Sequence, residues 1–333
     1  QQNHAGQIKS ASFARGKLQG STGMFAVLMR RLAAVPLVLL LASLFVFSLP
    51  TLTGVDLARA TLRARIAESE PDPQTLQNIR KELALDQPFA AQYGAFLKQL
   101  AVGDFGYSYS SRQPVGPTVF KALSISASIA ALSMGIAVLC AVPLGLLAAA
   151  RRGSLFDRIL TMLNRTMIAI PIHVMAPIII MVVSVQLRWL PTGGWTSPKH
   201  MILPVVSMAL VPLGLLTQMV RSETIDALEQ QFIRTARAKG LPAWRVLWHA
   251  GRVSLTGTLA VGSTFLAGLI GGSVVTEVIF TIPGMGGLLY DAVNHLDLPL
   301  IQGGLFVTLL AGLGVGLLSD IVAVLLDPRI RYR

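Results

Sequence analysis

Few residues in this chain have the types and spacing that chemistry needs, and those few stand where side chains of their kind are rare. Glu277 lies near the end of a long apolar run, VSLTGTLAVGSTFLAGLIGGSVVTEVIF. An ionisable group in such a place is costly unless it reaches an interface, a partner or a water-filled cavity. The turn Pro283-Gly284-Met285-Gly286 follows it and Gly271 and Gly272 precede it, so Gly271, Gly272, Glu277, Pro283 and Gly284 form a candidate gate or pathway wall. The plainer alternative is that Glu277 is a tolerated interfacial residue and that these glycines, with Gly257, Gly262 and Gly268, serve close helix crossing. His173, set between Pro171 and Pro177 in another apolar run, reads as a histidine hydrogen-bonded to a neighbouring helix. Asp320, near the end of the last apolar run, is expected to pair with a boundary arginine.

Several chemistries are excluded by what is missing. Cradling a nucleotide phosphate takes G-x-x-x-x-G-K-[ST], and the chain's only Gly-Lys pair, Gly16-Lys17, is followed by Leu18, so ATP hydrolysis is not expected of this chain. An intramembrane enzyme would need an H-E-x-x-H pair or a nucleophile and base on adjacent helices, and neither is evident. The single Cys140 allows no disulfide framework and no thiolate zinc site, and the eleven methionines are dispersed as packing residues rather than metal ligands. No catalytic residue, bound cofactor or metal is expected in this chain.

The segment Arg221 to Arg252, RSETIDALEQQFIRTARAKGLPAWRVLWHAGR, is the richest in position-specific signals. Helix formers run to Lys239, Gly240 can take the left-handed conformation that ends a helix, and Pro242 can open the next. The expected product is a short helix, a sharp turn and a second helix. Ala236, Ala238 and Gly240 keep one surface small while Arg234, Arg237 and Lys239 project charge and Leu241 follows the turn, a shape suited to docking in a partner's groove. The composition fits equally a basic amphipathic loop resting on anionic lipid.

The elements that must position these residues follow from composition. Hydrophobic residues make up 53% of the 333 and charged residues only 13%, about half of what soluble chains carry. Apolar runs long enough to cross a bilayer fall at Leu32 to Leu52, Leu123 to Ala150, Met167 to Leu187, Met201 to Val220, Val253 to Ile282 and Leu300 to Leu326. The fold class is therefore an all-α polytopic membrane protein with six transmembrane helices. Net charge is +12, which placement assigns to topology rather than to nucleic acid: seventeen basic residues flank the runs on the side of the termini against ten on the other. Both termini are then cytoplasmic. Residues 1–23 are polar and acid-free, as expected of a loose extension or tag, and 24–53 holds the first helix. Residues 54–117 form an external segment with helical patterning at Thr75 to Leu85 and Pro88 to Leu100; residues 118–327 carry the other five helices, and 328–333 is a cytoplasmic tail.

FIRTARAKGL (Phe232 to Leu241) resembles the cytoplasmic coupling-loop signature of ATP-binding-cassette importer permeases, in the variant of the dipeptide, oligopeptide and nickel branch. It is joined in order by LALDQPFAAQY (Leu83 to Tyr93), GDFGYS (Gly103 to Ser108), PLGLLAAARRGSLFDR (Pro143 to Arg158), GGSVVTEVIFTIPGMGGLL (Gly271 to Leu289) and DPRIRY (Asp327 to Tyr332). The segments before the second helix resemble the B-type permease of the pair. One departure stands: the general importer motif begins Glu-Ala-Ala six residues before its glycine, where this chain has Arg234, Thr235 and Ala236. The resemblance implies a type I importer permease of the bacterial plasma (inner) membrane, whose 118–327 region is the ABC transmembrane domain. It implies as partners a second, C-type permease, two ABC ATPase subunits that bind ATP and Mg, and an external substrate-binding protein. The cargo implied is a di- or oligopeptide or a related small solute, with residues 234–241 coupling to an ATPase. The rival is a self-contained secondary transporter, which would show interrupted helices at corresponding places of two repeats; no such repeat is evident.

Overall fold

The computed structural model describes residues 33–52, 54, 56–65, 73–82 and 84–326. The expected extension 1–23, the tail 328–333, the DPRIRY motif and the side chain of Asp320 lie outside the described residues. Regular structure within them is helical, apart from one bridge pairing Tyr107 with Pro114. Among the described residues four helices are long and apolar enough to cross a membrane: α1 (Ala33–Leu52), α5 (Val115–Ala150), α8 (Lys199–Leu228) and the Leu298–Ser319 part of α13 (Leu298–Leu326). Two bent pairs, each counted as one span, bring the number to six. The first is α6 (Leu155–Ala169) with α7 (Ile172–Ile179) and its π-helical continuation Ile180–Gln186, and the second is the two halves of α10 (Ala243–Gly272). The shorter helices are α2 (Leu57–Arg65), α3 (Pro73–Glu82), α4 (Phe89–Ala101), α9 (Gln231–Ala238), α11 (Val274–Ile279) and α12 (Met285–Asn294).

Proline sets many of these boundaries. Pro88, Pro114, Pro171, Pro198 and Pro242 immediately precede α4, α5, α7, α8 and α10. A proline disfavours the helical region for the residue before it, and at these five positions a helix starts afresh behind it. That is why the expected third span, Met167 to Leu187, is not one helix. Ile170 takes an extended ψ of 118° ahead of Pro171, and α6 and α7 meet at 106°. The fifth span is displaced for a related reason. It opens behind Pro242 at Ala243 rather than at Val253, and it stops at Gly272, so Glu277 belongs to the separate short helix α11. α8 likewise runs past Val220 to Leu228, because charge ends a hydrophobic signal without ending a helix. α5 starts at Val115, ahead of the domain boundary expected at 117.

Glycine allows the central crossings. A Cβ on Gly145 of α5 would lie 2.7 Å from the Val220 side chain and 2.9 Å from the Thr217 carbonyl of α8, and one on Gly214 would lie 2.9 Å from the Asn164 carbonyl of α6. Only small residues let helices approach this closely in lipid, where dispersion rather than water exclusion holds them. Ile125 and Ile129 of α5, Ala176 of α7, Met208 of α8 and Phe280 form the largest buried cluster. Between α1 and α5, Asp56 accepts from the Ala58 N–H at the start of α2 and from Arg80 Nη2 of α3, at 3.0 Å each. Phe47 of α1 meets the rings of Phe89 and Phe96 of α4 at 5.2 Å, seating α4 on the first span. The helices Thr75 to Leu85 and Pro88 to Leu100 expected here correspond to α3 and α4, and α2 is additional.

Candidate functional site

The turn after α9 has the hydrogen bonds its sequence anticipates. The Gly240 N–H donates to the Arg237 carbonyl at 2.9 Å and the Leu241 N–H to the Ala236 carbonyl at 3.2 Å, while Gly240 takes φ +72°. This pair is the Schellman ending, which requires the left-handed residue that glycine supplies without strain. Leu241 and Ala236 then pack together on a buried cluster of Ala227, Ile233, Val246 and Ala250. Ile233 is fully buried, so α9 is pinned between the end of α8 and the start of α10. Arg234, Arg237, Ala238, Lys239 and Gly240 are exposed, whereas Ala236 is half-buried against Leu241. The small outward surface is therefore Ala238 and Gly240, without Ala236. Beside it Trp244 and Trp248 are 65% and 51% exposed on one face of α10, with Arg245 lying 5.1 Å above the Trp244 ring. Sequence reasoning passed over both tryptophans, although their four-residue spacing next to Pro242 was visible.

The base of this loop is cross-braced. Arg221 of α8 makes a two-pronged contact with Asp157 of α6, Nε to Oδ1 at 2.5 Å and Nη2 to Oδ2 at 2.8 Å, and the Gly153 N–H adds a bond to Oδ2 at 2.9 Å. Arg152 reaches Glu229 at 3.1 Å across the more exposed side. The planar guanidinium fork fixes angle as well as distance, so the turn at 151–154 and the end of α8 are held as one unit.

Glu277 is 1% exposed and accepts four hydrogen bonds. Ser126 Oγ of α5 and Ser273 Oγ both donate to Oε1 at 2.6 Å, and the N–H groups of Gly286 and Gly287 donate to Oε2 at 2.7 and 3.1 Å. Those two amides belong to the first turn of α12, where N–H groups have no partner within the helix and negative charge is favoured. Ser126 Oγ in turn accepts from the Met285 N–H at 2.7 Å. One carboxylate thus joins α5, α11 and α12. The room for it is made by glycine, since a Cβ on Gly284 would lie 2.5 Å from Oε2 and one on Gly286 would lie 2.4 Å from Val274 Cα. Pro283 and Gly284 line, with Glu277, a cleft of about 460 Å³. Gly271 and Gly272, exposed at the end of α10, have nothing within 4 Å of a Cβ position, as does Gly268, whereas Gly257 is filled by Glu223. The expected set therefore divides into a Glu277 clamp with Pro283 and Gly284, and an open glycine surface at Gly271 and Gly272.

Two further polar arrangements escaped the sequence reading. Asp297, fully buried just before α13, accepts from Ser108 Oγ at 2.5 Å, Ser110 Oγ at 2.7 Å, and the N–H groups of Ser110 and Tyr109 at 3.1 and 3.2 Å. Burial pushes its carboxyl upward, and the serine hydroxyls and amides outweigh burial to hold it below the usual carboxylate range. The GDFGYS segment is thereby fastened to the last span. The second arrangement is Arg158 and Arg165, exposed on one face of α6. His173 is exposed on α7 and makes no hydrogen bond to a neighbouring helix among the described residues.

Against known proteins, residues 141–332 match the family of binding-protein-dependent transport system inner membrane components, and residues 24–130 match the N-terminal region of the same membrane component. The chain is 35% identical over 318 residues to a peptide transport system permease protein of Brucella abortus, covering 93% of this chain and 100% of that one. It is 34% identical over 313 residues to the oligopeptide transport system permease protein OppB of Escherichia coli K12, covering 92% of this chain and 99% of that one. A peptide ABC transporter permease protein of Sinorhizobium fredii is 34% identical over 324 residues, covering 93% and 100%.

Proposed function

We propose that this chain, which belongs to the family of binding-protein-dependent transport system inner membrane components, forms half of a translocation pathway for di- or oligopeptides, driven by ATP bound and hydrolysed on partner subunits. The observation that carries this reading is the exposed, rigidly ended loop at 234–241. A Schellman turn closes it, Ile233 anchors it, and the brace of Asp157 with Arg221 holds its base. Such a loop can transmit a push without absorbing it. We assign Arg234, Arg237, Ala238, Lys239 and Gly240 to contact with a cleft on an ATPase, with Trp244 and Trp248 at the rim. Two ATPases with their ATP and Mg, a second C-type permease and an external binding protein complete the assembly. This chain acts as its non-hydrolytic subunit, with both termini on the cytoplasmic side.

Exposed apolar side chains support further chains or lipid around this one: Leu139 is 76% and Met162 71% exposed. The open glycines Gly268, Gly271 and Gly272 suit the close approach of a helix from the second permease. Peptide cargo is inferred from the names its relatives carry. In this reading Glu277, Pro283 and Gly284 serve an outer gate as the clamp that fixes the α11–α12 turn, not as a charge presented to cargo.

The decisive experiment is purification of the tagged chain from a membrane expressing its neighbours. Two ATPase chains and a second permease should be retained, and a binding protein loaded with peptide should stimulate ATP hydrolysis in liposomes. A chain that purifies alone and transports without ATP would be a secondary transporter instead.

A further inference from the structure

Arg165 belongs to neither basic flank of the apolar runs, since it lies within α6. Arg158, Thr161 and Arg165 recur at steps of three and four residues on α6, so they share one face. With Arg221 of α8 they line a cleft of about 570 Å³. Arg221 is committed to Asp157. Arg158 and Arg165 are exposed and have no acidic partner among the described residues.

Depth follows from packing. Asn164, next to Arg165, meets Gly214 of α8, and Gly214 precedes Arg221 by seven residues. At 1.5 Å per residue that places Arg165 about 10 Å along α8 from the Arg221 level, inside the apolar width. A charged group so placed must face water, a partner or protein rather than lipid. A second, independent feature argues against lipid at this level. α6 ends at Ala169 and the chain turns by 106° into α7, which passes into a π-helical run. Broken helices at membrane depth occur where the freed backbone is buried in protein or lines a water-filled cavity. An interfacial lipid headgroup would account for Arg158 beside Arg221, but not for a cationic face continuing about 10 Å inward to a helix break.

We propose that Arg158 and Arg165 wall the aqueous pathway of this permease and that Arg165 receives a carboxylate of the passing cargo, such as a peptide C-terminus. The inference rests on the permease reading and deepens it. Arg158 and Arg165 stand about two helical turns apart on one face, and the acid that shares their cleft, Asp157, is held by Arg221. Both cations can therefore attract an anionic group, and the planar guanidinium can hold a carboxylate through two N–H bonds. Arg221, already held by Asp157, supplies the fixed inner end of the cleft.

The test uses the whole complex in liposomes with its ATPases, second permease and binding protein. In a chain carrying Cys140→Ser, Arg165→Cys should react with a membrane-impermeant anionic methanethiosulfonate, and saturating peptide during turnover should slow the reaction. No reaction in any nucleotide state would overturn the proposal by placing residue 165 in lipid or under a partner. Arg165→Gln should lower peptide uptake about tenfold, the equivalent of one charge-assisted hydrogen bond, with binding-protein-stimulated ATP hydrolysis retained and Arg165→Lys, which keeps the charge without the two-pronged geometry, restoring only part of the uptake. Unchanged uptake with loss of a co-purifying anionic phospholipid would make this a headgroup site and overturn the proposal. If the unsubstituted complex shows no ATP-dependent peptide uptake, it is the permease reading that fails, while the thiol reaction still decides whether the cleft holds water.

Discussion

Replacing Glu277 separates a clamp from a pathway charge, because the alanine and glutamine variants leave different groups unpaired. In Glu277→Ala the serines have somewhere to turn: Ser126 Oγ lies 3.3 Å from the Ala122 carbonyl and Ser273 Oγ 3.4 Å from that of Ile270. The N–H groups of Gly286 and Gly287 do not, since they donate only to Oε2. Leaving the buried Gly286 donor unpaired costs about 1–3 kcal/mol, and the half-buried Gly287 donor beside the cleft adds a smaller share, before any cavity is counted. Glu277→Gln can keep every bond. Its amide oxygen takes the place of Oε2, and its NH₂ donates to the two serine oxygens as their hydroxyls rotate to those carbonyls. Only the charge-assisted share of each bond is lost, up to about 1 kcal/mol apiece, offset by the smaller cost of burying a neutral amide. Thermal unfolding of the complex in lipid nanodiscs should therefore rank the parent above glutamine and glutamine well above alanine, with uptake by the glutamine variant falling less than that of the alanine. Equal destabilisation by both variants would refute the hydrogen-bond argument. Normal stability with abolished uptake in Glu277→Gln would restore the carboxylate to the pathway itself.

Three other perturbations follow from the same geometry. Gly240→Val places a β-branched residue at φ +72° in open space, so it should strain the Schellman turn by about 1–2 kcal/mol and leave ATP hydrolysis running while uptake falls, as read by the ratio of ATP consumed to peptide imported. Asp157→Asn and Arg221→Gln should each destabilise by about 1–3 kcal/mol and the double variant by less than their sum, a coupling that a double-mutant cycle on melting curves would reveal. Asp297→Asn should loosen the Ser108–Ser110 segment. Because the folded carboxyl lies below its ordinary value, the stabilisation is complete above about pH 4 and lost as pH falls through the depressed value, so the melting difference from the parent should be flat from about pH 8 to 5 and shrink only in stronger acid.

Hydrophobic run length made six crossings legible, and turn chemistry made the loop at 229–242 legible nearly residue by residue, because Gly240 and Pro242 act locally. Helix ends were less so. An apolar run records where lipid begins, but the helices α8 and α10 continue beyond it on backbone hydrogen bonds that charged side chains do not interrupt. Pro171 was visible, yet its effect depends on what packs around the break. Pro143, Pro204 and Pro212 all sit inside unbroken helices, so a proline alone does not say whether a span will kink or split.

The polar clamps were hidden for a different reason, which bears on how this permease moves. Glu277 draws its donors from residues 126, 273, 286 and 287, and Asp297 draws its own from 108 to 110. Ser273 alone, one helical turn before Glu277, has a local spacing that sequence could expose; Ser126 and the donors to Asp297 at 108 to 110 lie more than 150 residues away. Both acids sit beside helix starts, where unpaired N–H groups reward a carboxylate. Each fastens a turn next to a span onto a distant element. The Asp157–Arg221 brace does the same for the turn at 151–154 against α8. Rigid fastening at these turns leaves rotation of whole spans as the cheap motion, and the break between α6 and α7, flanked by the unpaired Arg165, as the place where the wall can open without breaking a buried charge pair. Locking that break by a disulfide between α6 and α7 should therefore stop transport while leaving ATPase docking intact, whereas a cross-link between α6 and α8 beside Gly214 should leave transport running.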